Sequence, residues 1–105
     1  MSKTTVVSFG EYIRGLRETA GLSIRKIAAQ LDIDPSLLGK IERNDRQPTR
    51  DLISKIAKIF KEDEKFLIKQ FISDQFAYKV LEEESDLEIF KVAEAKVKYF
   101  KQKEK

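Results

Sequence analysis

The sequence predicts an all-α protein, and two observations support this prediction. Apolar residues recur at intervals of three and four along almost the whole chain, which is the spacing of one face of a helix. Only the lead-in TTVVSF (residues 4–9) shows any of the alternation that is typical of a strand. A chain of 105 residues is long enough for one modest core and too short for two independent ones. We therefore expect one small helical body.

The first helix is predicted over residues 9–20. Ser8 and Glu11 have the spacing of a capping box, in which each side chain bonds to the other residue's backbone N–H. Gly21 suits the left-handed conformation that commonly ends a helix. The apolar stripe between these two signals consists of Phe9, Ile13, Leu16 and Ala20.

Two short helices follow. Ser23 is the expected N-cap of the second, whose apolar face is formed by Ile24, Ile27, Ala28 and Leu31. Asp34 is a good N-cap for the third, and Pro35 suits its first helical position because its φ is already helical. We expect this third helix to run to about Arg43 and to end where Asn44 adopts the left-handed conformation.

Three further helices complete the prediction. Pro48 and Thr49 start the fourth, which is apolar at Leu52, Ile53, Ile56, Ala57 and Phe60. Asp63 starts a fifth that continues past Phe66 and Leu67. A last helix is predicted from Ser85, with Glu88 completing a second capping box and with Leu87, Phe90, Ala93, Val97 and Phe100 on one side.

The composition argues against several classes of function. The chain has no cysteine and no histidine, so it lacks thiolate metal ligands, disulfides and the commonest general base. No nucleophile–base pair is evident, and we predict that the protein is not an enzyme and needs no metal or other cofactor. No apolar run approaches the roughly 20 residues that span a bilayer, and the first residues lack a signal-peptide core. We expect a cytoplasmic protein that acts on no membrane and no small-molecule substrate.

The distribution of charge along the chain indicates a possible partner. The net charge is +3, and all six arginines lie in the first 50 residues. Residues 1–60 carry 11 basic and 7 acidic side chains, whereas residues 61–105 carry 10 basic and 11 acidic ones. Because arginine suits bidentate binding of phosphate and guanine, the first part of the chain is the candidate for binding nucleic acid.

The third helix has the pattern expected of a helix that enters a DNA groove. At about 100° per residue, Leu38 and Ile41 face the core, and Ser36, Lys40 and Arg43 face the opposite way. Gly39 lies at the edge of this outward face, where its missing side chain would allow close approach of another surface, although it costs about 1 kcal/mol in helix propensity. Two short helices joined by a tight turn inside a bundle form a helix-turn-helix, and a small, hydroxylic and basic outer face suits the major groove.

At these residues the chain resembles the lambda-repressor/Cro-like (Xre-type) helix-turn-helix transcriptional regulators. The resemblance covers about residues 8–68 and centres on LSIRKIAAQLDIDPSLLGKIERN (residues 22–44). More narrowly, IERNDRQPT (residues 41–49) looks like the controller proteins of restriction-modification systems. The family resemblance implies a five-helix DNA-binding domain that recognises a double-stranded operator.

The resemblance also implies roles for particular residues. It assigns base contacts to Ser36, Leu37 and Lys40, and backbone or base-edge contacts to Arg43, Asn44, Arg46 and Gln47. Where the family usually has a glutamine this chain has Ile24, so Arg25 is the expected substitute for a contact to the DNA backbone. Aspartate at position 32 replaces the usual glycine of the turn, and Pro35 replaces a side chain that often reads a base. The resemblance further implies an ion pair between Arg17 and Glu42.

The second part of the chain carries more apolar residues than one small domain can cover. We therefore divide the chain into a DNA-binding domain, residues 1–70, and a C-terminal helical dimerisation extension, residues 71–105. The predicted interface of the homodimer consists of Phe71, Phe76, Leu81, Leu87, Phe90, Val97 and Phe100. A two-fold dimer implies an operator made of two inverted half-sites.

One alternative function remains open. In this alternative the C-terminal helices bind a partner protein, as an antitoxin does, and the chain binds its own promoter only secondarily. A self-associating segment would give a stable dimer at micromolar concentration, whereas a partner-binding segment would stay mobile or sticky when alone. Whether a DNA-binding regulator of this kind represses, activates or does both is likewise open.

Overall fold

A computed structural model describes residues 6–104 and contains six helices in that range, with no strand. In chain order these are α1 (Phe9–Thr19), α2 (Ile24–Leu31), α3 (Pro35–Glu42), α4 (Arg50–Phe60), α5 (Glu64–Glu82) and α6 (Ile89–Lys103). The all-α prediction is confirmed for this part of the chain. Of the TTVVSF lead-in, residues 4 and 5 lie outside the described residues, residues 6–8 belong to no helix or strand, and Phe9 begins α1.

The predicted capping signals start the first four helices. The Ser8–Glu11 capping box is present, and the side chains of Ser23, Asp34 and Thr49 accept backbone N–H groups at the starts of α2, α3 and α4. Chain reversals fall at residues with positive φ, as expected for Gly21 (70°), Asp32 (59°) and Asn44 (64°). These helix ends are set by hydrogen bonds within a few residues, which is why the sequence predicts them well.

A single apolar core holds the first five helices together. Its fully buried side chains come from one face of each helix: Ile13, Ile27, Leu31, Leu38, Ile41, Ile53, Ile56 and Leu67. Phe9 and Phe71 pack edge to face, with ring centroids 5.8 Å apart, and connect the beginning of α1 to α5. The short helices α2 and α3 are therefore fixed by tertiary packing, since helices of eight residues are marginal in isolation.

Helix α1 lies unusually close to the end of α3. A Cβ atom built on Gly10 would lie 2.4 Å from the carbonyl oxygen of Ile41 and 2.6 Å from that of Glu42. The backbone N–H of Gly10 donates to Oδ1 of Asn44 at 3.2 Å, and that of Phe9 donates to Oδ2 of Asp74 at 2.7 Å. Residues distant in sequence thus satisfy the first N–H groups of α1, which have no partner within the helix.

The chain divides into two compact units, with the boundary between Asp74 and Gln75. The boundary expected from the sequence, after residue 70, lies four residues earlier. Helix α5 crosses the boundary, so the fifth helix of the first unit and the first helix of the second are one continuous helix. The six helices expected in total are present in the described residues, whereas the count of five for the first domain is not confirmed, because α5 extends past the boundary.

The second unit consists of the end of α5 and the whole of α6. Val80 is buried, and Phe76 and Phe90 pack edge to face with ring centroids 4.8 Å apart. Helix α6 begins at Ile89, so the predicted start at Ser85 and its capping box with Glu88 are wrong. The reason is that the backbone N–H of Ser85 donates to the carbonyl of Val80 and closes α5. The chain then turns before α6, where Asp86 accepts the backbone N–H of Glu88.

None of the helices described between residues 6 and 104 combines the length and the apolar character needed to cross a membrane.

Candidate nucleic-acid interface

Helices α2 and α3 form the expected pair of short helices joined by a tight turn. Asp32 ends α2 in the left-handed conformation, and Asp34 caps α3 two residues later. Leu38 and Ile41 of α3 are buried in the core, whereas Ser36 and Lys40 are exposed. The opposite faces predicted from the helical wheel are therefore present, and α3 presents a polar and basic surface to solvent.

The beginning of α3 is organised by Asp34 and Ser36. The Asp34 carboxylate accepts the backbone N–H of Ser36 at 2.8 Å and its hydroxyl at 2.9 Å. These hydrogen bonds lower the pKa of Asp34 below its ordinary value, so the cap is charged at neutral pH. Because the Ser36 hydroxyl proton is used in the cap, this oxygen is available mainly as an acceptor, which would suit the amino group of adenine or cytosine.

The candidate cationic side chains around α3 are exposed. Arg25 lies near the start of α2, Lys40 lies in the last turn of α3, and Arg46 lies in the loop that leads to α4. None of these three forms an ion pair with another residue among those described. Gln47, in the same loop, is exposed as well. Their charge and hydrogen-bonding groups are accordingly available to a polyanion.

Two of the predicted site residues are placed differently from the others. Leu37 is half-buried and packs against the core, so only part of its side chain is available for a base contact. Asn44 donates from Nδ2 to the hydroxyl of Ser8 at 2.8 Å and accepts the N–H of Gly10. Its amide therefore connects the loop after α3 to the beginning of α1. Both assignments as DNA contacts stay predictions.

Gly39 lies next to the side chain of Arg43. It is buried, and a Cβ atom built on it would lie 3.2 Å from Nη1 of Arg43 and 3.7 Å from Cδ1 of Ile24. The guanidinium of Arg43 thus lies against the Gly39 position on the outer side of α3. The helical wheel located Gly39 at the edge of the outward face but did not predict that Arg43 would cover it.

A nearly buried ion pair supports α3 from within the first unit. Nε and Nη2 of Arg17 donate to the two carboxylate oxygens of Glu42 at 2.8 and 3.1 Å, and Nη1 donates to the carbonyl of Leu22 at 3.0 Å. The side chain of Arg17 is 13% exposed and that of Glu42 is 4% exposed. The pKa of Arg17 is raised, mainly because of its hydrogen bond to Glu42. The predicted Arg17–Glu42 pair is confirmed.

The predicted dimer residues do not share one environment. Phe71 belongs to the first unit, where it is half-buried against Phe9. The other six lie in the second unit, and each exposes more than a third of its surface: Phe76, Leu81, Leu87, Phe90, Val97 and Phe100. Sequence periodicity placed Phe71 with these residues because α5 is continuous across the boundary.

Sequence reasoning did not single out Gly10, Asp45 or Asp74. Gly10 allows the close approach of α1 to α3, Asp45 accepts a hydrogen bond from Arg43, and Asp74 caps the first N–H of α1. A glycine two residues after an N-cap is the only signal in the sequence that could have indicated the close approach. The two aspartates act across turns or over long sequence separations, where single-sequence patterns carry little information.

Comparisons with known proteins agree with this geometry. Residues 13–67, more than half of the chain, match the model of a family described as Helix-turn-helix. Proteins described as uncharacterized HTH-type transcriptional regulators, from two strains of Mycobacterium tuberculosis, are 41% identical to the chain over 49 residues. The match covers 47% of this chain and 35% of the length of each relative. No solved structure gives a significant match.

Proposed function

The chain belongs to the helix-turn-helix family, and from this premise we propose that it is a sequence-specific regulator of transcription that binds a double-stranded operator as a homodimer. The observation that carries the proposal is the outward face of α3, where Ser36 and Lys40 are exposed, together with the exposed cations Arg25 on α2 and Arg46 in the loop after α3. A helix presented in this way suits the major groove, and the surrounding cations suit the phosphates. The description of the mycobacterial relatives as transcriptional regulators also supports it. A regulator of this kind would act in the cytoplasm and without catalysis.

Substitutions at Lys40 and Arg46 test the assignment of the interface. Lys40→Ala is expected to weaken specific binding by about 1–3 kcal/mol, because it removes a base-edge or phosphate contact at the centre of the α3 face. Arg46→Ala is expected to weaken binding to specific and random duplexes alike. It should also lower the salt slope, which is the steepness of log affinity against log salt concentration, by about one, as loss of a phosphate contact does. Titration of an operator selected in vitro, at several salt concentrations, measures both effects.

Lys58→Ala is the charge-matched control, since Lys58 is exposed on α4, outside the helix-turn-helix pair. It should leave specific affinity unchanged. If Lys40→Ala retained operator affinity within about twofold, α3 would not be the recognition helix.

The exposed apolar residues of the second unit support the dimer. Leu81, Leu87 and Phe100 are 72%, 74% and 56% exposed, and two helices alone cannot bury such residues. A second copy of the same surface would cover them and would bring two recognition helices about 34 Å, or a multiple of this, apart on an inverted repeat. Coupling two half-site contacts would raise apparent affinity by about a hundredfold or more.

Phe100→Glu is expected to convert the dimer to a monomer, because it would bury a carboxylate in an apolar interface. Operator affinity should then fall by about a hundredfold, with half-site preference unchanged. Gln102→Glu is the control and should stay dimeric. By helical geometry Gln102 lies about 160° around α6 from Phe100. Light scattering at micromolar concentration and a binding titration measure both properties.

A wild-type chain that is monomeric at micromolar concentration would contradict the dimer. It would favour the alternative in which the second unit binds a partner protein, as an antitoxin does.

The resemblance of residues 41–49 to controller proteins also leads us to propose restriction-modification genes as the regulated genes. Methyltransferase and endonuclease reading frames beside the gene would support this narrower role.

A further inference from the structure

Arg43 lies along the outward face of α3 and does not extend away from it. It is the C-cap residue of α3, and side chains of a helix lean toward its N-terminus, which brings residue i over residue i−4. Here residue i−4 is Gly39, and the Arg43 Cζ and Nη1 atoms come within 4.0 and 3.2 Å of the position that a Cβ on Gly39 would occupy. The guanidinium is therefore close to the helix surface, about one turn before its own Cα.

The orientation of this guanidinium is set from one side. Its Nε donates to Oδ2 of Asp45 at 3.4 Å. Both residues are more than 60% exposed, so this pair adds little to stability and serves mainly to orient the side chain. In the part of the chain that the structure describes, Nη1 and Nη2 donate to no protein acceptor. Two parallel N–H donors are left for a ligand.

Two parallel N–H donors match the major-groove edge of guanine. Guanine presents N7 and O6 as adjacent acceptors, and a bidentate arginine is the commonest specific contact to it. A phosphate contact would not require the guanidinium to lie over the helix, because an extended side chain at a helix end reaches the DNA backbone more easily. The position of the guanidinium against Gly39 and its hydrogen bond to Asp45 both favour a base contact at the centre of the α3 face.

We propose that Arg43, seated over Gly39 and oriented by Asp45, reads one guanine in each half-site through N7 and O6. This inference rests on the proposed function and makes it more specific, because it names one base and the side chain that recognises it. Gly39 is then a positioning residue, because a side chain at this position would press against the guanidinium of Arg43.

The test begins with selection of binding sites from a random duplex library by the wild-type chain. Each guanine of the selected site is then replaced by adenine, or by 7-deazaguanine, which lacks N7. At one guanine per half-site the wild type should lose roughly 10- to 100-fold in affinity. Arg43→Ala should bind the original and the replaced sites equally at that position and should keep its preferences elsewhere.

Two further variants test the positioning of Arg43. Asp45→Asn removes a negative charge, so it should bind random duplexes more tightly and yet discriminate guanine less well. Gly39→Ala places a methyl group against the guanidinium and should lower guanine discrimination while raising the melting temperature, since alanine favours the helix. A variant that was merely misfolded would show the opposite change in melting temperature.

Each other outcome overturns the inference. If Arg43→Ala weakens all duplexes equally and lowers the salt slope by about one, Arg43 binds a phosphate. If no guanine of the selected site depends on Arg43 for its recognition, the proposed reading role is also wrong, although the proposal that the protein binds DNA would be unaffected. If the wild-type chain selects no sequence at all, the proposed function fails together with this inference.

Discussion

Glu42→Gln is expected to lower the free energy of unfolding by about 3 kcal/mol, because it leaves the Arg17 guanidinium nearly buried beside a neutral partner. The carboxylate accepts two hydrogen bonds from Arg17, at 2.8 and 3.1 Å, and glutamine offers only one acceptor oxygen. For a protein of this size the melting temperature should fall by roughly 10 °C or more. Thermal and urea denaturation followed by circular dichroism measure the effect.

The exposed pair of Arg14 and Glu18 supplies a matched control on α1. These side chains are 58% and 54% exposed. They form an arginine–glutamate ion pair like that of Arg17 and Glu42, with Nε of Arg14 3.0 Å from Oε2 of Glu18. Glu18→Gln should therefore change stability by no more than about 0.5 kcal/mol. Replacing both Arg17 and Glu42 by methionine should cost much less than Glu42→Gln, because no buried charge remains. Equal melting temperatures for Glu42→Gln and Glu18→Gln would show that burial of the pair contributes nothing.

Gly10→Ala should destabilise the protein by about 3 kcal/mol, although alanine is the better helix former. The new Cβ would fall 2.4 Å from the Ile41 carbonyl oxygen and 2.6 Å from that of Glu42. These are backbone atoms at the end of α3, so the clash can be relieved only by moving α1 and α3 apart. The hydrogen bond from Gly10 to Asn44 would be lost as well.

Gly15→Ala is the control for this prediction, since Gly15 lies on the same helix and no other helix or distant side chain comes within 4 Å of its Cβ position. It should raise stability by up to about 1 kcal/mol through helix propensity. Opposite signs for the two variants in denaturation experiments would establish that the crossing of α1 and α3 requires a glycine. If both variants were stabilised, the close approach seen at Gly10 would not exist in solution.

The local sequence determined where four of the six helices begin and where three of the chain reversals fall. Ser8, Ser23, Asp34 and Thr49 cap their helices through hydrogen bonds to residues two or three positions away. Gly21, Asp32 and Asn44 take the left-handed conformation for equally local reasons. Interactions of such short range are visible in the sequence, because both partners occur in one window.

The capping signal at Ser85 predicts a helix start that the structure does not have, since α6 begins at Ile89. A serine three residues before a glutamate is a valid capping signal, but the backbone N–H of Ser85 already donates to the Val80 carbonyl and closes the end of α5. Two local signals competed for one residue, and the closure of the longer helix prevailed. The apolar periodicity of α5 likewise grouped Phe71 with the apolar residues of the second unit. Periodicity shows which residues share a face of a helix, but it does not show which other helices that face contacts.

By itself, then, the sequence determined the helical class, the helix-turn-helix pair and the basic outer face of α3, since each depends on local spacing and charge. Tertiary structure alone decided that Gly10 lies under the carbonyls of α3, that Asn44 bonds to α1, and that the guanidinium of Arg43 occupies the space over Gly39. These features depend on which surfaces meet and how closely. A distance between packed backbones is a property of the whole core, and no short stretch of sequence contains it.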